Sequence, residues 1–332
     1  MTGKPAVAVP PLVLDLMGRS GHILILPHRN PDGDALGSAR ALALALGSAG
    51  RRVDLALLGE WDQNLSFLLA DLSIVDFPDD FSAFDLIVLL DFNSLSRLER
   101  PGFEAFPAAG PPIVVIDHHP LRAGEKIKEN WFLEPTASSA GELIWHLLSA
   151  LDLKPSPEAR DALLLAIASD TGFFSQNNTT AAALRAAADM VEMGAYLEMI
   201  RRRLYADLPL RRLKLMGLAL DSLKLYCDGR VAVMALTPDT FKAAGATQAD
   251  NEGIVELGRN LANVTLSALV TVKDWGVAPR VSLRSQEPVD ASALAQHFGG
   301  GGHRLAAAYN DSAAATVEEA VTNLLARVES FL

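Results

Sequence analysis

Short runs of apolar residues, separated by Ala/Leu-rich stretches of helical length, set the pattern of the first half of the chain. Strands are expected at 22–27 around Ile23-Leu24-Ile25-Leu26, at Val53 to Leu58, at Asp85 to Leu90, and at Ile113-Val114-Val115-Ile116. These runs are apolar nearly throughout rather than alternating, which predicts strands covered on both faces of a parallel sheet. Helices are expected at 12–20, at 39–49 where Gly50 closes the run, at 139–151, and at 158–169 just after Pro157. Strands alternating with helices predict an α/β domain built on a doubly wound, mainly parallel sheet.

From Thr180 to Leu225 the pattern is mostly helical, interrupted by Pro209, with charges at Arg201-Arg202-Arg203 and Arg211-Arg212 that read as a solvated helix face. After Gly229 strand-like alternation takes over at Val231 to Ala235, Thr265 to Val272 and Arg280 to Arg284, with helices at 252–263, 290–297 and 316–331. The expected organisation is a first domain at 1–190, a helical connector at 191–225, and a smaller α/β domain with a mixed sheet at 226–332.

Composition narrows the function classes. With 29 Lys and Arg against 40 Asp and Glu, the net charge is −11, so no global basic field draws the chain along duplex DNA. Cys227 is the single cysteine, which excludes an intramolecular disulfide and a thiolate cluster and makes a reducing cytoplasm the default. Pro5, Pro10 and Pro11 interrupt the N-terminal segment, so no signal peptide is expected, and no later apolar run reaches spanning length without a charge, so no membrane partner is expected.

The candidate chemistry lies where the strands stop. His28, Asp32 and Asp34 follow the first strand, Asp91 follows Leu90, and Asp117-His118-His119 follow Ile116. The helix ending at Ser169 adds Asp170. In a parallel sheet the carboxyl ends of the strands open on one edge, where ligands bind. A lone Asp after a strand is most often the N-cap of the next helix, and His22 and His146 fit ordinary structural roles. Four acidic or imidazole-bearing elements on one edge are another matter. In the stretch from His28 to Ser38, read as a loop because Pro31 and Gly33 oppose a regular element, two carboxylates repel unless a cation sits between them. Nitrogen and oxygen donors without sulfur suit Mn²⁺ or Mg²⁺, with imidazole favouring Mn²⁺, and the number of donors exceeds one octahedral shell. Two cations side by side are equipment for in-line attack at phosphorus.

Further on, Phe298-Gly299-Gly300-Gly301-Gly302-His303 is either a flexible turn or a loop whose N–H groups close on phosphate oxygens. Together these motifs resemble the DHH/DHHA1 phosphoesterases. His28-Arg29-Asn30-Pro31-Asp32-Gly33-Asp34, Asp91, Asp117-His118-His119 and Asp170-Thr171-Gly172 are similar to the family's four motifs in order, and Arg284 and Gly301-Gly302-His303 to its substrate motifs. The resemblance implies that His28 and Asp32 hold one cation, Asp34, His118 and Asp170 the other, and that Asp91 bridges them. It implies an orienting role for Asp117 and a phosphate-facing, leaving-group role for His119. Arg284, Gly300, Gly301, Gly302 and His303 would hold the nucleotide. The chain departs from the family pattern at Phe173-Phe174-Ser175-Gln176 and at Arg304-Leu305-Ala306-Ala307-Ala308, outside the ligand set.

The implied activity is Mn²⁺-dependent removal of 5′-mononucleotides from short RNA and dephosphorylation of 3′-phosphoadenosine 5′-phosphate, with a homodimer allowed. A cyclic or linear dinucleotide phosphodiesterase needs the same machinery. Pyrophosphate hydrolysis ranks behind because the glycine run resembles a nucleotide-type second domain, and a long exonuclease of the RecJ type ranks behind on length. From other classes come a nucleotide sensor that has lost catalysis, which a complete ligand set opposes, and a phosphate-binding scaffold.

Overall fold

This computed structural model describes residues 7–92, 94, 98, 106, 110–121, 126–206 and 208–332, with Tyr205 and His303 for their backbone alone. Residues 1–6, on which the expectation of no signal peptide partly rests, lie outside the described residues. Two compact units divide the chain, Met1–Asp207 and Leu208–Leu332.

The first unit opens with helix α1 (Pro11–Arg19) and continues through strand β1 (His22–Pro27), helix α2 (Gly33–Ser48) and strand β2 (Arg52–Ala56). Strands β3 (Ser73–Val75), β4 (Leu86–Leu90), β5 (Ile113–Asp117) and β6 (Trp131–Leu133) come next, then helices α3 (Ala140–Ala150), α4 (Pro157–Asp170), α5 (Ala181–Glu192) and α6 (Leu197–Tyr205). The six strands pair in parallel in the order β3-β2-β1-β4-β5-β6. On β1, Ile23 and Ile25 enter the core formed with α2, α3 and α4, while Leu24 and Leu26 enter the core on the opposite face beside Phe81 and Phe92. Both faces are covered, which is why the strands read as continuous apolar runs. The chain passes from β1 to β2 on one side and reaches β4 on the other, so the strand order reverses beside β1. Ligand crevices of open α/β sheets form at such a point.

One expectation changes here. The helix expected from 39 begins six residues earlier, at Gly33, so Asp34 belongs to a helix rather than a loop. The cause is Asp32, whose side chain caps α2 by accepting the N–H groups of Asp34 and Ala35, each at 3.0 Å. Gly33, read as opposing a regular element, is instead the first residue of α2. A Cβ there would lie 2.4 Å from Ser169 Oγ, so the residue is small because α2 and α4 close on each other at this point. The edge strands β3 and β6, three residues each, are too short for a periodic signal.

The second unit consists of α7 (Leu210–Asp221), β7 (Lys224–Tyr226), β8 (Val231–Leu236), α8 (Pro238–Ala244), α9 (Ile254–Arg259), β9 (Leu266–Thr271), β10 (Arg280–Ser285), α10 (Ala291–Gln296), β11 (Gly301–His303), β12 (Ala306–Asn310) and α11 (Val317–Val328). Its sheet runs β11-β12-β10-β9-β8-β7 and is mixed, with only β8 and β9 parallel. The stretch 191–225 is divided between the units, α6 lying in the first and α7 and β7 in the second. Arg211 and Arg212 are not merely solvated. Arg211 Nε donates to both carboxylate oxygens of Asp250 at 3.1 and 2.9 Å, and Arg212 donates to the Glu252 carbonyl at 2.7 Å. No described helix is long and apolar enough to cross a membrane.

Candidate metal centre

The carboxyl ends of β1, β4 and β5 bring His28, Asp91 and Asp117-His118-His119 to one edge of the sheet, where the first turn of α2 adds Asp34 and the end of α4 adds Asp170. Asp91 sits in the left-handed region at φ 64°, a conformation that costs a non-glycine residue about 1 kcal/mol, and its N–H donates to the Ile116 carbonyl at 2.8 Å. That turn throws its carboxylate back across the strand ends. One oxygen, Oδ2, lies 3.5 Å from His28 Nε2, and the other, Oδ1, lies 3.4 Å from His118 Nε2.

The donors form a group of His28, Asp32 and Asp91 and a group of Asp34, His118 and Asp170, and a further grouping joins Asp91 to His118 and His119, whose Nδ1 lies 3.6 Å from Asp91 Oδ1. In the first, His28 Nε2 also stands 3.8 Å from Asp32 Oδ2. In the second, His118 Nε2 stands 3.3 Å from Asp170 Oδ2 and 3.8 Å from Asp34 Oδ2. A six-coordinate cation with donors at about 2.1 Å keeps adjacent donors about 3 Å apart, so separations of this size suit atoms gathered round an ion. His28 Nε2 is buried and accepts or donates no hydrogen bond among the described residues, while Nδ1 is committed to the Arg29 carbonyl at 2.8 Å. Asp32 divides its oxygens the same way, one capping α2 and the other facing His28. The donor set fits divalent cations.

Electrostatics gives the same answer. Burial works against a charge on Asp91, but the His118 and His28 imidazoles facing its two oxygens outweigh burial and hold the carboxyl well below the usual range. Burial likewise opposes the imidazolium of His28, yet Asp32 and Asp91 raise it to about 10; for His118, Asp91 and then Asp170 and Asp34 do the same, also to about 10. Burial pushes Asp170 up to about 7 even with His118 beside it, and burial followed by the Asp91 and Asp170 charges pushes Asp34 well up. The cluster therefore demands positive charge, from protons or from metal ions.

Asp34 has its own support. Ala140 N–H and Gly141 N–H, at the start of α3, donate to its two oxygens at 2.6 and 2.9 Å, and Ser38 Oγ donates at 3.1 Å. Burying a carboxylate costs several kcal/mol, and hydrogen bonds to a charged group return about 1.5–3 kcal/mol each, so Asp34 is sustainable by itself. The crowd around it is not.

Asp117 is buried and turned away from this exchange: its Oδ1 accepts His119 Nδ1 at 2.6 Å and the His119 backbone N–H at 3.1 Å. His22 and His146 stay outside the cluster, His22 bonding to Asp54 at 2.7 Å and the Ala83 carbonyl at 2.8 Å. A residue that sequence reasoning passed over is Asn178, whose Nδ2 donates to the carbonyls of Asp170 at 2.9 Å and Ser138 at 3.1 Å. It braces the end of α4 against the entry to α3, and both elements serve the Asp34–His118–Asp170 group. In the sequence it is one of several polar residues before a helix and carries no signal of its own. Phe173 and Phe174, at the first departure from the family pattern, pack against the first unit's core.

In the second unit the glycine run is not an open turn. Gly301–His303 forms β11, the edge strand, paired with β12. A Cβ at Gly300 would lie 2.3 Å from the Ala308 carbonyl oxygen, and one at Gly302 2.5 Å from that of Ala306, so glycine lets β11 lie close on β12. The role expected of His303 concerns a side chain outside the described residues. Arg284, expected to grip substrate, is ion-paired within the unit, with Nε 2.7 Å from Glu256 Oε1.

Comparisons with known proteins match this division. Residues 22–167 match the DHH family N-terminal domain and residues 228–332 match the DHHA1 domain. A Thermus thermophilus protein named bifunctional oligoribonuclease and PAP phosphatase NrnA is 29% identical over 283 residues, covering 85% of this chain and 82% of its own length. A Bacillus subtilis protein of the same name is 26% identical over 287 residues, 86% and 87% of the two chains. The crystal structure of an exopolyphosphatase-related protein from Bacteroides fragilis superposes with a TM-score of 0.87 at 26% identity, covering 99% of each chain. With a histidine–carboxylate cluster that can hold divalent metal, the chain is a hydrolase of phosphate esters and belongs to the DHH/DHHA1 family.

Proposed function

We propose that the chain releases 5′-mononucleotides from short oligoribonucleotides and converts 3′-phosphoadenosine 5′-phosphate to AMP, with Mn²⁺ preferred over Mg²⁺. The observation that carries this reading is the pair of histidine–carboxylate groups on either side of Asp91, whose two oxygens lie 3.5 Å from His28 Nε2 and 3.4 Å from His118 Nε2, at the point where the strand order reverses. His28, Asp32 and Asp91, and Asp34, His118 and Asp170 with Asp91 beside them, would hold divalent cations, which would supply Lewis-acid activation of water and screening of charge at phosphorus. Two imidazoles in the donor set favour Mn²⁺.

The chain's own groups do the rest. Asp117 holds Nδ1 of His119, which makes Nε2 the nitrogen that passes a proton to the departing oxygen. Arg284, the outer edge of β11 at Gly301 and Gly302, and His303 hold the nucleotide's phosphate, with Gly300 fixing the entry to that strand through its N–H to the Ala295 carbonyl at 2.9 Å. The two relatives named as oligoribonuclease and PAP phosphatase support the choice of substrate, and a net charge of −11 suits a small one held by local contacts.

The test is turnover by the purified protein with Mn²⁺ or Mg²⁺ on 3′-phosphoadenosine 5′-phosphate, pApA, a five-nucleotide RNA, cyclic di-AMP and pyrophosphate. Phosphate from the first substrate and mononucleotides from the RNA are expected. Turnover of pyrophosphate alone, or of cyclic di-AMP alone, overturns the assignment.

A further inference from the structure

Arg284 is held by helix α9, and the way α9 is seated explains how. Register places Ala232, Ser267, Arg284 and Ala306 in one row across β8, β9, β10 and β12. Residues opposite one another in a sheet share a face. Helix α9 is fastened over the Ser267 end of that row, where Ser267 Oγ donates to the Val255 carbonyl at 2.7 Å. A Cβ at Gly258 would lie 2.3 Å from Ser267 Oγ and 3.2 Å from Ala232 Cβ, so the helix backbone rests directly on the sheet. Glu256, between these two anchors, reaches the next position of the row.

Its carboxylate joins two arginines. Oε1 accepts Arg284 Nε at 2.7 Å, and Oε2 lies 2.9 Å from Arg259 Nε. Arg284 Nη1 also donates to the Leu283 carbonyl at 3.0 Å. Of the five guanidinium N–H groups, these bonds take the one on Nε and one on Nη1; among the described residues the other three, one on Nη1 and two on Nη2, have no acceptor and can donate to an anion. All three side chains are about a quarter exposed, at 24% for Arg284, 30% for Glu256 and 25% for Arg259. The trio carries a net charge of one positive unit.

We propose that Glu256 is a positioning residue for substrate: it fixes Arg284 by Nε so that the Nη1 and Nη2 end meets the terminal phosphate of a nucleotide, with the Arg259 charge beside the other carboxylate oxygen. This rests on Arg284 being the phosphate-binding arginine of the proposed function. An arginine held in one rotamer has less freedom to lose when the phosphate arrives. The residue acts on binding and leaves the chemical step to the metal centre.

Steady-state kinetics of the Mn²⁺-loaded protein on 3′-phosphoadenosine 5′-phosphate, with calorimetric binding of AMP beside them, tests the assignment. Glu256→Ala is expected to raise KM and the AMP Kd about tenfold, the scale of the rotamer freedom a released arginine regains, with kcat within twofold. Glu256→Gln keeps the acceptor oxygen and is expected within about threefold of wild type. The inference is overturned if Glu256→Ala leaves both constants unchanged or tightens them, or if Glu256→Gln loses as much as Glu256→Ala. Arg284→Ala separates the layers. A large rise in KM there with a silent Glu256→Ala sinks the positioning role alone, whereas a silent Arg284→Ala removes the phosphate-binding arginine and the positioning role together.

Discussion

At the carboxyl ends of β1, β4 and β5, the first unit crowds Asp32, Asp34, Asp91 and Asp170 around two imidazoles, and the groups answer with large shifts in proton affinity. Around α9 and the adjoining segment the second unit does the reverse: Asp250 is met by Arg211 and Glu256 by Arg259 and Arg284, each carboxylate with its counterion inside the unit. A region that leaves its charges unbalanced is built for an outside ion. A region that balances them internally uses the pairs to hold side chains in place, and its ligand meets donors already oriented.

If that contrast is right, the largest effect belongs to Asp91, which faces both histidines. Asp91→Ala is expected to lower kcat/KM by at least about 10²–10³-fold, the scale of losing a transition-state electrostatic element. Elemental analysis of the Mn²⁺-dialysed variant should also find fewer than two ions per chain; retention of two ions with wild-type phosphate release would falsify the shared-ligand reading.

Asn178→Ala sharpens the comparison within the metal centre itself. Because Asn178 braces only the elements of the Asp34–His118–Asp170 group, Mn²⁺ titration should show one site weakened about 10–100-fold, the range for outer-shell changes, and the other unmoved. Equal weakening of both sites would mean that the two groups are not separately supported.

The smallest effect tests the internally balanced pairs. Burial opposes the charge on Asp250, but the hydrogen bond from Arg211 and those from Thr247 prevail and hold its carboxyl below the usual range. A carboxyl depressed in the folded state contributes stability that is present above the unfolded pKa of about 3.9 and is lost as pH falls through the folded value. Asp250→Asn should therefore destabilise the chain by about 1–2 kcal/mol at pH 7. Thermal melts from pH 7 down to pH 3 should show the gap from wild type closing at the acid end; a gap constant with pH would mean that the ion pair contributes nothing beyond packing.

The two regions also differ in how far the amino-acid order reveals them. The run from Ile23 to Leu26, and those before Asp91 and Asp117, announce buried parallel strands, and the residues just after each strand must emerge on the same edge. Hence the meeting of His28, Asp91 and His118 is readable from strand ends alone, while Asp170 comes from the end of a helix. The start of α2 at Gly33 was not, because Asp32 both caps the helix and faces His28, and a cap is a hydrogen bond rather than a periodicity. Short strands such as β11 and β12 escaped for a related reason: the Gly and Ala residues that let them lie close together have no alternating apolar pattern. Glu256 stands 28 residues before Arg284, inside an ordinary helix, and nothing local marks it as a partner.

What the sequence by itself determined is the parallel α/β architecture, the mixed second domain, and which strand ends carry imidazole and carboxylate, since hydrophobic periodicity and chain direction are local properties. Tertiary structure decided the rest. It divided the donors around the two faces of Asp91 through a left-handed turn, tied Asp170 to the entry of α3 through Asn178, and turned Glu256 onto Arg284 through the seating of α9 on Ser267. Those are contacts between residues far apart in the chain, fixed by packing and hydrogen-bond geometry that no single stretch of sequence contains.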